Sequence, residues 1–107
     1  MADVVLHHSP RSRSGRTKMM LDLLGVDYEL VVLDITDGKH RTPDYLKLNP
    51  FGRVPTLIFD GQVILDSAAQ VMFLADMYPQ AGLSPPLGSP LRAPFTELFV
   101  LSGAELE

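Results

Sequence analysis

Asn49-Pro50-Phe51-Gly52-Arg53-Val54-Pro55-Thr56-Leu57 is the stretch on which the fold of this 107-residue chain turns. Asn49 to Gly52 has the composition of a turn, and the β-branched run from Val54 to Phe59 reads as a strand. A proline at the start of a strand is tolerated because no ladder donor is needed there. Asp60-Gly61 then predicts a hairpin into a second strand, Gln62 to Leu65. Ser67-Ala68-Ala69-Gln70 fits a capping box with Ser67 as N-cap and Gln70 reaching back. The helix it opens runs to about Tyr78 and stops at Pro79. Val71, Leu74, Ala75 and Tyr78 give that helix one apolar face.

Upstream, strand and helix alternate. Val4-Val5-Leu6 is a β-branched opening that ends at Ser9-Pro10. From about Ser12 to Leu24 a dense apolar stripe predicts a helix, which Gly25 ends as its C′ residue. Tyr28 to Leu33 is strand-like and Asp34 to Arg41 a polar loop. Thr42-Pro43-Asp44 places an N-cap before a proline at the first helical position, so a short helix follows through Leu48. The order β-α-β followed by β-β-α predicts an α/β sandwich with a mixed four-stranded sheet.

The remainder changes character. Pro85, Pro86, Pro90 and Pro94 make residues 81–94 a Pro/Gly-rich linker after a domain spanning 1–80. Phe95, Leu98, Phe99 and Leu106 resume helical spacing, so 95–107 reads as the first helix of an all-α second domain that has been cut away.

Composition narrows the chemistry. With 9 Lys+Arg against 13 Asp+Glu there is no basic excess to displace counterions, which argues against a nucleic-acid partner. The absence of cysteine removes disulfide scaffolds, thiolate metal sites and dithiol redox chemistry. No run of about 18 apolar residues predicts a membrane span. The N-terminus lacks the basic start and apolar stretch of a secretion signal, which favours the cytoplasm. His7-His8 stands at the end of a strand with no carboxylate or cysteine at ligand spacing, so no metal site is expected. Strand alternation sends one of the two inward and the other out.

Three features fall in register: the Ser/Arg-rich turn Ser9-Pro10-Arg11-Ser12-Arg13-Ser14-Gly15-Arg16, the stretch 49–57, and Leu65-Asp66-Ser67-Ala68-Ala69 at a helix mouth. In these motifs, N-P-x-G-x-V-P-x-L followed by a hairpin and an acidic-Ser-x-Ala helix start, the chain resembles the cytosolic glutathione transferases. The likeness covers about residues 4–80, the family's thioredoxin-like N-terminal domain, and is strongest to bacterial members and the serine-using classes. It implies a cis bond at Val54-Pro55 that turns the Val54 backbone outward to pair with an extended peptide, glutathione. It also implies that the α-carboxylate of the γ-glutamyl residue sits on the helix start at Ser67, with its ammonium on Asp66, where the family usually has the longer Glu. Lys39, His40 and Arg53 are the cations the resemblance assigns to the rim that binds the peptide's carboxylates.

The catalytic hydroxyl is read as Ser12, which stands four residues before Arg16 in the S-x-x-x-R pattern, with Ser14 and Ser9 as alternatives. Lowering a thiol pKa of about 8.5 by about 2 units needs ~2.7 kcal/mol in favour of the anion. A helix N-terminus supplies ~0.3–1 kcal/mol, and a hydroxyl bonded to a charge adds roughly 1.5–3 kcal/mol. Hydroxyl and helix end must therefore act together. The implied reaction is conjugation of the glutathione thiolate to a small electrophile, a detoxification chemistry, in a homodimer where Phe51 contacts the partner. Glutathione is the co-substrate and no metal is involved. The isolated 107 residues are expected to be weakly active or inactive. The alternative is a non-catalytic binding or interaction module on the same fold.

Overall fold

The computed structural model describes residues 3–105, and the side chains of 103–105 are not described. Leu106, counted above in the helical spacing, lies outside the described residues.

Strand β1 (Val4–His8) is the hub. Helix α1 (Ser14–Leu24) carries the chain back to β2 (Glu29–Val32), which pairs parallel to β1 with Leu6 opposite Leu30. A short helix α2 (Pro43–Leu48) precedes β3 (Thr56–Phe59), which runs antiparallel to β1 with Leu6 opposite Leu57. The hairpin partner β4 (Gln62–Ile64) completes a mixed sheet in the order β2-β1-β3-β4. Helix α3 (Ser67–Met77) then crosses back over the sheet, and α4 (Arg92–Glu105) follows. Among the described residues no helix is long and apolar enough to cross a membrane.

Alternation in β1 explains the two layers. Val4, Leu6 and His8 are buried on the face covered by α1 and α3, where Leu6, Leu21, Leu57 and Leu74 are wholly shielded from solvent. Truncating any of these leucines to alanine removes transfer energy and opens a cavity, a cost of about 2–5 kcal/mol. His7 points to the opposite face, where its ring packs 5.7 Å from that of Tyr45 in α2. The expectation that one histidine faces out therefore needs correcting, since α2 half-covers the second face and His7 with it.

Turn chemistry follows the residues. Gly25 ends α1 in the left-handed region at φ 68°, and Asp60-Gly61 takes φ 48° and 84° in the hairpin. Thr42 caps α2 by accepting from the Tyr45 N–H at 3.4 Å. Four local readings are revised. Helix α1 begins at Ser14 rather than Ser12, because Ser12 folds back onto Ser9. Asp34 to Arg41 winds into two 3₁₀ turns, Ile35–Asp37 and Lys39–Arg41, the first capped by Asp34. The α3 cap is Asp66, not Ser67. Asp66 has the extended backbone of an N-cap (φ −113°, ψ 133°) and accepts from the Ala69 N–H at 3.0 Å, so Ser67 is already helical. Gln70 turns inward instead of reaching back, as described below. Lastly, α4 starts at Arg92 rather than Phe95, with Pro94 in its first turn.

Arg92 fastens that helix to the sheet domain. It forms a two-pronged ion pair with Asp76 near the end of α3, at 2.7 and 2.9 Å, and donates to the Pro85 carbonyl. The guanidinium holds the Asp76 carboxyl below the usual carboxylate range, helped by a bond from the Ser84 hydroxyl.

Candidate functional site

The site is built where two helix starts meet the entry to β3. The Val54-Pro55 bond is cis. The turn leading to it is held by Asn49, fully buried, whose Nδ2 donates to the Arg53 carbonyl at 2.9 Å and to Thr56 Oγ1 at 3.0 Å. The Tyr45 hydroxyl donates to the same Arg53 carbonyl at 2.5 Å. Both lone pairs of that carbonyl are thus occupied, which fixes the backbone just ahead of Val54. Burial raises the Tyr45 phenol, so it stays a neutral donor. No hydrogen bond within the described residues uses the main-chain groups of Val54 itself.

From the other side Gln70 supports Pro55. Its Nε2 donates to the Ile64 carbonyl at 2.6 Å and to the Pro55 carbonyl at 3.3 Å, while Oε1 accepts from Thr17 Oγ1 at 2.6 Å. One buried amide therefore ties α3 to α1, to β4 and to the cis proline.

A cleft of about 220 Å³ opens over this frame, and Arg53, Val54, Pro55, Asp66 and Ser67 all line it. Five of the seven peptide-binding residues expected from sequence are thereby brought together. Arg13 and Phe51 share the lining. The clue for Arg13 was its place between Ser12 and Ser14, which puts it at the cap of α1. Lys39 and His40 do not line this cleft. They sit in the second 3₁₀ turn, Lys39 exposed and His40 half-buried with its Nδ1 lacking a partner among the described residues. The neighbouring Arg41 lies instead beside Gly52, within 3.0 Å of where a Cβ would stand.

A second, larger cleft of about 690 Å³ adjoins the first, for residues next in sequence line both: Ser12 and Arg13, Ser67 and Ala68. Its walls are mostly apolar, with Met19, Val71 and, from α4, Phe99.

The three candidate serines separate clearly. Ser9 and Ser14 are buried, with 2% and 0% exposure, and Ser12 alone is half-open and lines the large cleft. Ser14 Oγ accepts from the Ser9 N–H and donates to the Ser9 carbonyl, both at 3.0 Å, closing the turn internally. Ser12 Oγ donates to the Ser9 carbonyl at 2.6 Å. His7 and His8 diverge to opposite faces, and among the described residues no group of three or more His, Cys, Asp or Glu side chains converges as a metal site would.

A mixed sheet ordered β2-β1-β3-β4, two helices on one face, one on the other and a cis proline ahead of β3 define a thioredoxin-like domain. Residues 9–77 match the glutathione S-transferase N-terminal domain, and the chain belongs to that family. It is 43% identical over 74 residues to glutathione S-transferase 1 of Dianthus caryophyllus, covering 69% of this chain and 34% of that protein. It is 42% identical over 73 residues to a maleylacetoacetate isomerase of Pseudomonas aeruginosa, covering 65% of this chain and 34% of that protein. Among solved structures, a glutathione transferase from Phanerochaete chrysosporium with oxidized glutathione superposes with a TM-score of 0.87 at 28% identity. That match covers 99% of this chain and 50% of the other. The chain thus spans about a third of the length of these curated relatives and half that of the solved one.

Proposed function

We propose that this chain is the glutathione-holding part of a transferase that activates the peptide's thiol and conjugates it to a small electrophile. The observation that carries this reading is the pair of adjoining clefts sharing the starts of α1 and α3. A peptide in the smaller, polar cleft presents its sulfur to the larger, apolar one, where an electrophile fits.

Each residue has a role on this reading. Val54 offers its unused N–H and C=O to the extended cysteinyl segment as an added strand. The α3 N-terminus takes the γ-glutamyl carboxylate through the Ser67 and Ala68 N–H groups, which the Asp66 cap leaves over, and through the Ser67 hydroxyl. Asp66 Oδ2 is engaged by Ala69, and Oδ1 remains for the ammonium. Arg53 faces the glycyl carboxylate, and Lys39 and His40, in the 3₁₀ turn outside the cleft lining, extend the basic rim beyond it. Ser12 donates to the thiolate and so lowers its proton affinity. The residues up to Gln80 form the peptide domain, 81–91 the connection and α4 from Arg92 the start of a helical domain, in a cytoplasmic homodimer that Phe51, 68% exposed, helps to join.

The isomerase relative favours a second reaction on the same site. There the thiolate adds to a conjugated double bond, the single bond so formed rotates, and the thiolate leaves again unchanged. Calorimetry with glutathione, followed by titration of the bound thiol in the protein and in Ser12→Ala, tests the common core of both. Binding with a lowered thiol pKa that Ser12→Ala moves most of the way back to the free value supports it. No binding at millimolar peptide refutes it, and binding without a pKa shift supports the non-catalytic module instead.

A further inference from the structure

The turn that presents Ser12 contains a hydrogen-bonded chain that the proposed function does not use. His8 Nδ1 lies 2.7 Å from Ser14 Oγ, which lies 2.6 Å from Ser12 Oγ. The chain runs from a buried imidazole, through a wholly buried hydroxyl, to the half-open hydroxyl at the large cleft.

Counting protons shows what the imidazole decides. A serine hydroxyl has one proton and two lone pairs. Ser14 Oγ already accepts from the Ser9 N–H, and its single proton has three acceptors in range: the Ser9 carbonyl, Ser12 Oγ and His8 Nδ1. If the ring proton is on Nε2, Nδ1 accepts the Ser14 proton and Ser12 receives nothing from Ser14 Oγ. If it is on Nδ1, His8 fills the second lone pair of Ser14, whose proton is then directed to Ser12 or the Ser9 carbonyl. Ser12 Oγ also faces the Ser14 N–H at 3.2 Å. With both lone pairs filled, Ser12 acts only as a donor.

We propose that His8, acting through Ser14, orients the Ser12 hydroxyl as a proton donor toward the large cleft. This rests on the reading that Ser12 faces the glutathione sulfur. A thiolate accepts and does not donate, so it takes the Ser12 proton in place of the Ser9 carbonyl. The series is then His8 Nδ1–H to Ser14 to Ser12 to sulfur, with every proton staying on its own donor. Each donor that also accepts is polarised by the one behind it, so the bond to sulfur is strengthened. His8 touches no ligand and is a positioning residue. Burial and the Lys18 ammonium on α1 hold its imidazole below the ordinary range, and at neutral pH it carries a single ring proton.

The test compares the protein with His8→Phe, which removes the ring nitrogens, and with His8→Asn, whose amide nitrogen stands near the position of Nδ1. Glutathione affinity is measured by calorimetry and the bound thiol pKa by its ultraviolet thiolate absorbance. His8→Phe is expected to raise the bound thiol pKa by about one unit, a tenfold fall in the thiolate-to-thiol ratio, with Kd changed by less than about threefold. His8→Asn is expected to recover most of that shift. A lowered thiol pKa that His8→Phe leaves unmoved overturns the relay and leaves the transferase reading intact. An unaltered protein that neither binds glutathione nor lowers its thiol pKa removes that reading and the relay with it. Nitrogen NMR of the unaltered protein gives an independent check should His8→Phe fail to fold. A proton on Nδ1 supports the relay, and a proton on Nε2 with Nδ1 accepting overturns it.

Discussion

Thr17 and Gln70, both without solvent exposure, meet at 2.6 Å in the seam between α1 and α3. A buried pair of this kind is nearly neutral when satisfied and expensive when halved, because the orphaned partner bears its full desolvation cost. Thr17→Val, close in shape, is expected to destabilise the fold by about 1–3 kcal/mol by stranding Gln70 Oε1. Gln70→Leu strands the Thr17 hydroxyl and the Ile64 and Pro55 carbonyls together, for about 2–4 kcal/mol. Urea denaturation with an unchanged m-value measures both, and the double variant should lose less than the sum.

Gly52 is the next point where the cleft depends on one residue. It stands at φ +62°, and a Cβ there would lie 3.0 Å from Arg41 Cδ and 3.1 Å from Leu46 Cδ2. Gly52→Ala combines left-handed strain with displacement of both side chains, about 1–3 kcal/mol. Because Gly52 leads directly into Arg53-Val54-Pro55, the expected signature is weaker glutathione binding along with the stability loss. A variant that melts earlier yet binds unchanged would show that the turn does not shape the cleft.

Both strand-end histidines make stability depend on pH in the same direction. Burial lowers the His7 pKa, with the Thr56 backbone and the Glu29 charge opposing, and burial together with Lys18 lowers that of His8. Below the ordinary value of 6.5 the unfolded chain takes up protons that the folded chain still refuses. Stability is therefore complete above that value and declines as pH falls from it toward the lowered folded values. Denaturation midpoints across this window should show the decline, and His8→Asn should make it shallower. A flat profile would contradict the burial of the two rings.

Much of this was legible in residues whose conformation is locally determined. Gly25, Asp60-Gly61 and Thr42-Pro43 carry their backbone angles in their chemistry, and the sandwich follows from the spacing of apolar runs between them. Proline 55 needed more: its cis bond was implied by the motif around it, not by composition. The readings that failed depend on choices between near equals. Asp66 and Ser67 are both good caps, and only the extended backbone at Asp66 selects it. Gln70 was read as a local cap partner because its buried acceptors, at Pro55 and Ile64, lie on other elements. Lys39 and His40 lie in a loop that coils into a 3₁₀ turn, a coiling its polar sequence does not announce, and this sets them outside the lining of the small cleft.

The serines of the first turn supply the sharpest contrast. Ser14 is wholly buried and bonded to the Ser9 backbone and His8, so Ser14→Ala strands the Ser9 N–H and is expected to destabilise by about 1–3 kcal/mol. Ser12 is half-open at the large cleft, and Ser12→Ala should cost the fold less than about 1 kcal/mol. The thiol readout reverses that order. A bond from Ser12 to the anion is worth roughly 1.5–3 kcal/mol, so its loss should raise the bound thiol pKa by about 1–2 units. Ser14→Ala should give a smaller rise in whatever fraction remains folded, since Ser12 keeps its own proton. Thermal melts and thiol titrations on the two variants decide this. If Ser14→Ala abolishes thiol activation while Ser12→Ala leaves it intact, the hydroxyl that meets the sulfur is not Ser12.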